Sequence, residues 1–143
     1  MRDRIFLDSN ILVYSSLEDN ENKHHKVISL LENIKGKEIF LSTQVINEVY
    51  VTLLKNGLDD DAIQKVLMEI IETYNISVIT TEIIKKAWNL RKQYRYSYWD
   101  SLVLASALEI NCSTLYTEDM QGGQVIEDTL RITNPFERVE DVS

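Results

Sequence analysis

Four acidic residues stand where a chain of this pattern would gather them. Asp8 directly follows the apolar run Ile5-Phe6-Leu7, and Asp119 follows Leu115-Tyr116-Thr117-Glu118. Glu48 falls in the second turn of a helix expected to open at Ser42. Asp100 lies three residues after Ser97, near the start of another. With 23 acids in the chain, finding four means nothing; their placement at strand exits and early helix turns is the signal. Two carboxylates about 5 Å apart repel by roughly 3 kcal/mol at an effective dielectric of 20. Four converging carboxylates would not all stay ionised without a cation. An all-oxygen donor set suits magnesium or manganese. Zinc is disfavoured because Cys112 and the adjacent His24 and His25 have no ligand spacing. An acid-held divalent ion orients a phosphate, activates water and stabilises a leaving oxygen.

Each acid also has a purely structural reading. Asp8 would cap a helix opening near Ile11. Asp100 would complete a Ser97-x-x-Asp100 box at a helix start. Glu48 alone would be a solvated helix-face residue, and Asp119 a turn residue before a glycine-containing loop. His24 and His25 point different ways from one helix, where packing or fixing a loop is the simpler role. Cys112 reads as a small buried hydrophobe.

The elements that must position the acids follow from periodicity. One proline and four glycines in 143 residues imply long regular elements and short connections. Strands are expected at Ile5–Leu7, Glu38–Leu41, Ser77–Thr80 and Thr114–Tyr116, with a short fifth at Arg131–Thr133. Helical spacing runs from Ile11 towards Leu17 and from Glu21 to Lys35, ended by Gly36. It resumes from Ser42 to Gly57, then after Asp59-Asp60-Asp61, from Thr80 or Thr81 through Arg91, and from Ser97 through Leu108. Strands alternating with helices build a mainly parallel sheet covered on both faces. Ligands of such sheets bind at the carboxyl ends of the strands.

Length and composition bound the rest. The chain suits one domain, residues 1–143, with a core that needs no disulfides. A single cysteine excludes a disulfide framework and fits an intracellular, cytoplasmic setting. No apolar run approaches a membrane span, so no membrane association is expected. The net charge of −8 argues against holding nucleic acid by bulk electrostatics. It leaves open nucleic-acid chemistry at a site where metal ions carry the positive charge.

Four ordered segments resemble the PIN-domain ribonucleases, most closely the VapC-type toxins of toxin–antitoxin modules. Ile5-Phe6-Leu7-Asp8-Ser9-Asn10-Ile11-Leu12 resembles the opening strand with its Asp-x-Asn. Ser42 through Asn47-Glu48-Val49 resembles the second acidic motif, and Tyr98-Trp99-Asp100-Ser101 through Ala107 the third. Leu115-Tyr116-Thr117-Glu118-Asp119, with Asn134-Pro135-Phe136, resembles the closing motif. The likeness spans residues 1 to about 136. It implies a three-layer, Rossmann-like α/β fold with four to five central strands. It implies that Asp8, Glu48, Asp100 and Asp119 bind magnesium or manganese and carry catalysis, with Asn10 and Thr117 as polar supports. It further implies an endoribonuclease acting on transfer, messenger or ribosomal RNA, a homodimer, and a small antitoxin that covers the acidic groove. Whether Glu118, His24 or His25 assists stays open.

Two other readings compete. A non-catalytic PIN-fold RNA-binding or scaffold module would carry the same fold without cleavage. A magnesium-dependent phosphatase would need a second Asp where Asn10 stands. The Tyr94, Tyr96, Tyr98 and Trp99 strip could stack bases or meet a partner, or serve core packing and loop anchoring, the role expected for Trp99. Lys85, Lys86, Arg91, Lys92 and Arg95 form the densest basic run, suited either to solvent or to RNA phosphates.

Overall fold

A computed structural model describes residues 3–137. Among them the chain runs β1 (Arg4–Leu7), α1 (Ser9–Ser16), α2 (Glu21–Asn33), β2 (Glu38–Ser42), α3 (Thr43–Lys55), α4 (Asp60–Thr73) and β3 (Asn75–Ser77). It continues through α5 (Thr81–Tyr94), α6 (Tyr98–Glu109), β4 (Thr114–Tyr116), β5 (Val125–Ile126) and β6 (Leu130–Thr133). The strands form one sheet in the order β3-β2-β1-β4-β6-β5. All pairings are parallel except β5 with β6. The fold is α/β, with helices flanking a mostly parallel sheet, as the resemblance implies. Among the described residues, no helix is long and apolar enough to cross a membrane.

The continuous apolar run of β1 has a direct structural reason. Ile5, Phe6 and Leu7 are all buried, so both faces of the central strand are covered, and alternation is not needed. Each such side chain contributes about 1.5–3 kcal/mol on burial. Helix α6 is buried along Ser101–Leu108 on every side, which explains why its sequence is apolar all round rather than amphipathic. It packs against α5, while α1 packs on α2 and α3, and α3 on α4.

The helix starts match their sequence signals. Asp8, Asn20, Ser42, Asp59, Thr80 and Ser97 all cap helices through a side-chain oxygen that accepts a backbone N–H. Gly57 takes φ +91° just beyond α3, where a side chain would be strained.

Two strand expectations need correction. The third strand is Asn75–Ser77 rather than Ser77–Thr80. The Asn75 side chain donates to Ile39 O, and Thr80 is taken up as the α5 cap. Val78, read as a strand residue, is exposed. The sheet has six strands rather than four or five. The missed strand, β5, is two residues long and joins β6 through Glu127-Asp128-Thr129, the first two at positive φ. That is a tight hairpin turn, closed by Thr129 N–H donating to Ile126 O at 3.1 Å. Glu-Asp lacks the Asn-Gly signature that announces such turns.

The strand order fixes where a ligand can bind. From β1 the chain steps outward through β2 to β3, then returns to lay β4 on the other side of β1. The seam between β1 and β4 is therefore the topological switch point, and the crevice lies beyond the strand ends. Asp8 and Thr117 are the first residues past those two ends.

Candidate active site

Asp8 anchors the crevice. It is 3% exposed. Its backbone N–H donates to Tyr116 O at 3.1 Å, which extends the β1–β4 ladder past the strand. One carboxylate oxygen accepts the Ser9 N–H at 2.7 Å, and the other accepts the Thr117 hydroxyl at 2.8 Å. Burial pushes the Asp8 carboxyl up to about 6. The Thr117 and Ser9 hydrogen bonds oppose the rise, while the charges of Asp119 and Asp100 add to it.

Thr117 is fully buried and acts as a junction. Its Oγ1 accepts the Asp119 N–H at 3.1 Å and the Asn10 amide at 3.3 Å. Asn10 Nδ2 also donates to Asp119 Oδ2 at 3.0 Å, and Asn10 Oδ1 accepts the Glu118 N–H at 3.4 Å. Asp8, Asn10, Thr117 and Asp119 thus form one connected group, contributed by both sides of the seam.

Glu48 and Asp100 approach from α3 and α6. Burial raises Glu48 to about 7, and the Asp8 charge adds to it, with the Gln44 side chain opposing. Asp100 is also raised, first by burial and then by the charge of Asp119. The four acids therefore share one electrostatic environment. Among the described residues, no three His, Cys, Asp or Glu side chains stand close enough to chelate a cation without adjustment. The donor set still fits a hard divalent cation. It is all oxygen, and Glu48 Oε1 is buried with no hydrogen-bond partner, a state that a cation would relieve.

The family model for the PIN domain matches residues 5–121. The chain belongs to the PIN domain family. Solved structures superpose on this PIN domain across most of its length. A toxin–antitoxin complex from Klebsiella pneumoniae gives a TM-score of 0.70 at 23% identity, covering 94% of this chain and 99% of that one. VapBC2 from Rickettsia felis, bound to a DNA fragment from its promoter, gives 0.67 at 19% identity, covering 92% and 99%. The sarcin–ricin-loop-cleaving toxin VapC20 of Mycobacterium tuberculosis gives 0.67 at 16% identity, covering 80% and 91%. At these identities the likeness is one of fold. No curated protein matches the sequence.

Several side chains around the PIN crevice escaped the sequence reading. Gln44 is 7% exposed and lies one helical turn before Glu48. Its amide donates to Trp99 O at 3.1 Å and so ties α3 to the start of α6. Ser9, Gln44, Asn47, Glu48, Val51 and Trp99 help line a groove of about 750 Å³. Ser9 also borders an adjoining hollow of about 380 Å³ beside Asn10, Tyr14 and Asp119.

The open residues are placed plainly. Glu118 turns away from the acids: it accepts from Tyr14 OH at 2.7 Å and pairs with Lys23 at 2.6 Å. The Lys23 ammonium sits 5.0 Å over the rings of both Tyr14 and Phe136. His24 Nδ1 is bonded to Tyr14 O at 2.7 Å, and His25 is exposed. Cys112 is buried, which pushes its thiol up to about 12.

The aromatic strip reverses its expectation. Trp99, expected to pack in the core and anchor a loop, is 61% exposed on the groove wall. The tyrosines are the anchored members. Tyr94 OH accepts from Glu127 N–H at 2.9 Å, and Tyr96 OH accepts from Gln121 N–H at 3.0 Å. Tyr98 packs edge-on against Trp99, with ring centroids 5.1 Å apart. Carbonyl and ring are held, so Trp99 is exposed without being loose.

Proposed function

We propose that this PIN domain is a metal-dependent endoribonuclease and the toxin of a toxin–antitoxin module. Asp8, Glu48, Asp100 and Asp119 would hold magnesium or manganese. When bound, the cation supplies the positive charge that a phosphodiester and its leaving oxygen require, and acidifies the attacking water. The protein's own contribution is orientation. Thr117 and Ser9 fix the Asp8 carboxylate, Asn10 fixes Asp119, and Gln44 holds the helix that carries Glu48 against the first turn of the helix that carries Asp100. Such outer hydrogen bonds tune metal affinity and ligand orientation.

One observation carries the reading: a buried carboxylate at the β1–β4 switch point, tied through Thr117 and Asn10 to a second carboxylate that faces solvent. A buried acid with its pKa raised in a crevice is a functional-site signature. The solved structures of similar fold include toxin–antitoxin complexes and a toxin that cleaves the sarcin–ricin loop, which supports an RNA substrate and an antitoxin partner for this chain. A single domain, a homodimer and a cytoplasmic location complete the proposal.

The test is cleavage of total cellular RNA with magnesium or manganese, beside EDTA and Asp8→Asn controls. Discrete fragments that vanish in both controls are expected. Folded, manganese-binding protein that leaves transfer, messenger and ribosomal RNA intact would instead favour a scaffold that binds without cutting.

A further inference from the structure

Helix α5 ends on an arginine in the left-handed region. Arg95 has φ +64° and ψ +26°, a state that glycine adopts freely and a Cβ-bearing residue adopts at a cost. Its N–H still closes the helix, donating to Arg91 O at 3.0 Å. Glycine would make the same cap with less strain, so the side chain is what distinguishes Arg95 here. Asn111, Glu127 and Asp128 share this backbone state in turns; Arg95 differs from them in lining a cleft with two further cations.

That side chain has company. Arg91, Lys92, Arg95 and Tyr96 line one cleft of about 280 Å³. All three cations are exposed. Among the described residues, none of the three has a carboxylate within ion-pair distance. The earlier cations of the same helix do: Lys85 pairs with Glu82 and Lys86 with Glu127, each at 3.6 Å. Other described cations, such as Lys26 and Arg131, also lack an ion pair; what sets these three apart is that they share one cleft whose lining includes no acid. The helix dipole favours cations in a last turn, which accounts for Arg91 and Lys92. It does not account for a third cation held beyond the helix at positive φ.

The cleft is tied to the acidic crevice twice. Its tyrosine, Tyr96, accepts a hydrogen bond from Gln121, two residues past Asp119. The five residues from Arg95 to Asp100 span at most roughly 18 Å between Cα atoms. A strand of a few nucleotides reaches from one to the other.

We propose that Arg91, Lys92 and Arg95 form a phosphate-binding subsite that holds the backbone of single-stranded RNA beside the acidic crevice. This deepens the proposed ribonuclease and rests on that reading. Guanidinium groups match phosphate oxygens with paired hydrogen bonds, and such contacts set register without reading base sequence. The subsite also answers how a chain of net charge −8 grips a polyanion: the positive charge is local and adjacent to the crevice.

The test titrates a labelled single-stranded RNA oligonucleotide with wild type, Arg91→Gln/Lys92→Gln, Arg95→Gly and Arg95→Lys, with calcium in place of magnesium, over a salt series. Each lost phosphate contact should reduce the slope of log K against log salt by about 0.7. Arg95→Gly should weaken binding several-fold while its Tm equals or exceeds that of wild type. Arg95→Lys should keep most of the slope. Wild-type slope and affinity in all three variants, from a protein that cleaves RNA, would overturn the subsite and leave the ribonuclease standing. A wild type that neither binds nor cleaves RNA would remove both.

Discussion

Thr117 Oγ1 donates to Asp8 Oδ2 at 2.8 Å across the seam where β4 meets β1. The same oxygen accepts from Asp119 N–H and Asn10 Nδ2, so one hydroxyl orients the Asp8 carboxylate directly and holds the backbone of Asp119 and the amide that bonds its carboxylate. Thr117→Val keeps the shape and loses the hydroxyl. It should lower manganese affinity and cleavage by about 10–100-fold, the usual cost of removing a hydrogen bond behind a metal ligand. Thr117→Ser should retain most of both. Isothermal titration with manganese, run beside the RNA assay, measures the two effects separately. Equal losses in the serine and valine variants would show that the methyl packing matters and the hydroxyl does not.

The raised acids make stability depend on pH in a defined direction. Asp8 stands at about 6 against 3.8 unperturbed, and Glu48 at about 7 against 4.5, both chiefly through burial. The folded state therefore holds protons that the unfolded chain has released. The stability these groups contribute is complete below about pH 4 and is lost as pH rises through about 6 to 7. In EDTA, Tm should fall across that window. Asp8→Asn should make the fall shallower, leaving the part that Glu48 contributes, because no charge then forms at position 8. Manganese should raise Tm more near pH 8 than near pH 5, since cation and proton compete for the same oxygens. Thermal melts across that range decide it; a manganese shift independent of pH would separate the acids from the cation.

Gln44 spans two helices, and its removal should be felt at both ends. Gln44→Leu leaves Trp99 O without its donor and takes away the amide that favours ionised Glu48. Intrinsic fluorescence should change, because Trp99 is the groove-wall indole whose backbone is released. Manganese affinity should fall by a smaller factor than in Thr117→Val, because Glu48 keeps its place on α3. A fluorescence change with manganese affinity intact would restrict Gln44 to holding the start of α6.

The parts of this protein that were legible in its sequence are those set by local chemistry. Asp8, Ser42, Thr80 and Ser97 are caps because their side chains can accept an N–H, and each sits before an apolar-rich stretch. The connection from Asn10 through Thr117 to Asp8 joins residues more than a hundred positions apart, and only the strand order makes them neighbours. Trp99 was misread because hydrophobicity alone argues for burial, while its place at the start of α6 turns it outward. Strand β5 escaped because two residues carry no period. Gln44 had a signal, its one-turn offset from Glu48, but a glutamine on a helix face is ordinary until its neighbours are known.

Glu118 offers the last test, because it is an acid beside the crevice that the fold has already neutralised. Lys23 and Tyr14 hold its two oxygens, and its N–H donates to Asn10, the residue that holds Asp119. Lys23→Met removes the partner charge and frees a carboxylate one residue from Asp119. Two effects should follow. Stability should drop by about 1 kcal/mol, in keeping with a pair that is only partly buried. Manganese affinity should change by less than about tenfold, because Thr117 still holds the Asp119 backbone. Lys23→Arg should restore the Tm. A Lys23→Met variant that loses manganese binding as completely as Asp8→Asn would mean that the Lys23–Glu118 pair, rather than Thr117, sets the position of Asp119.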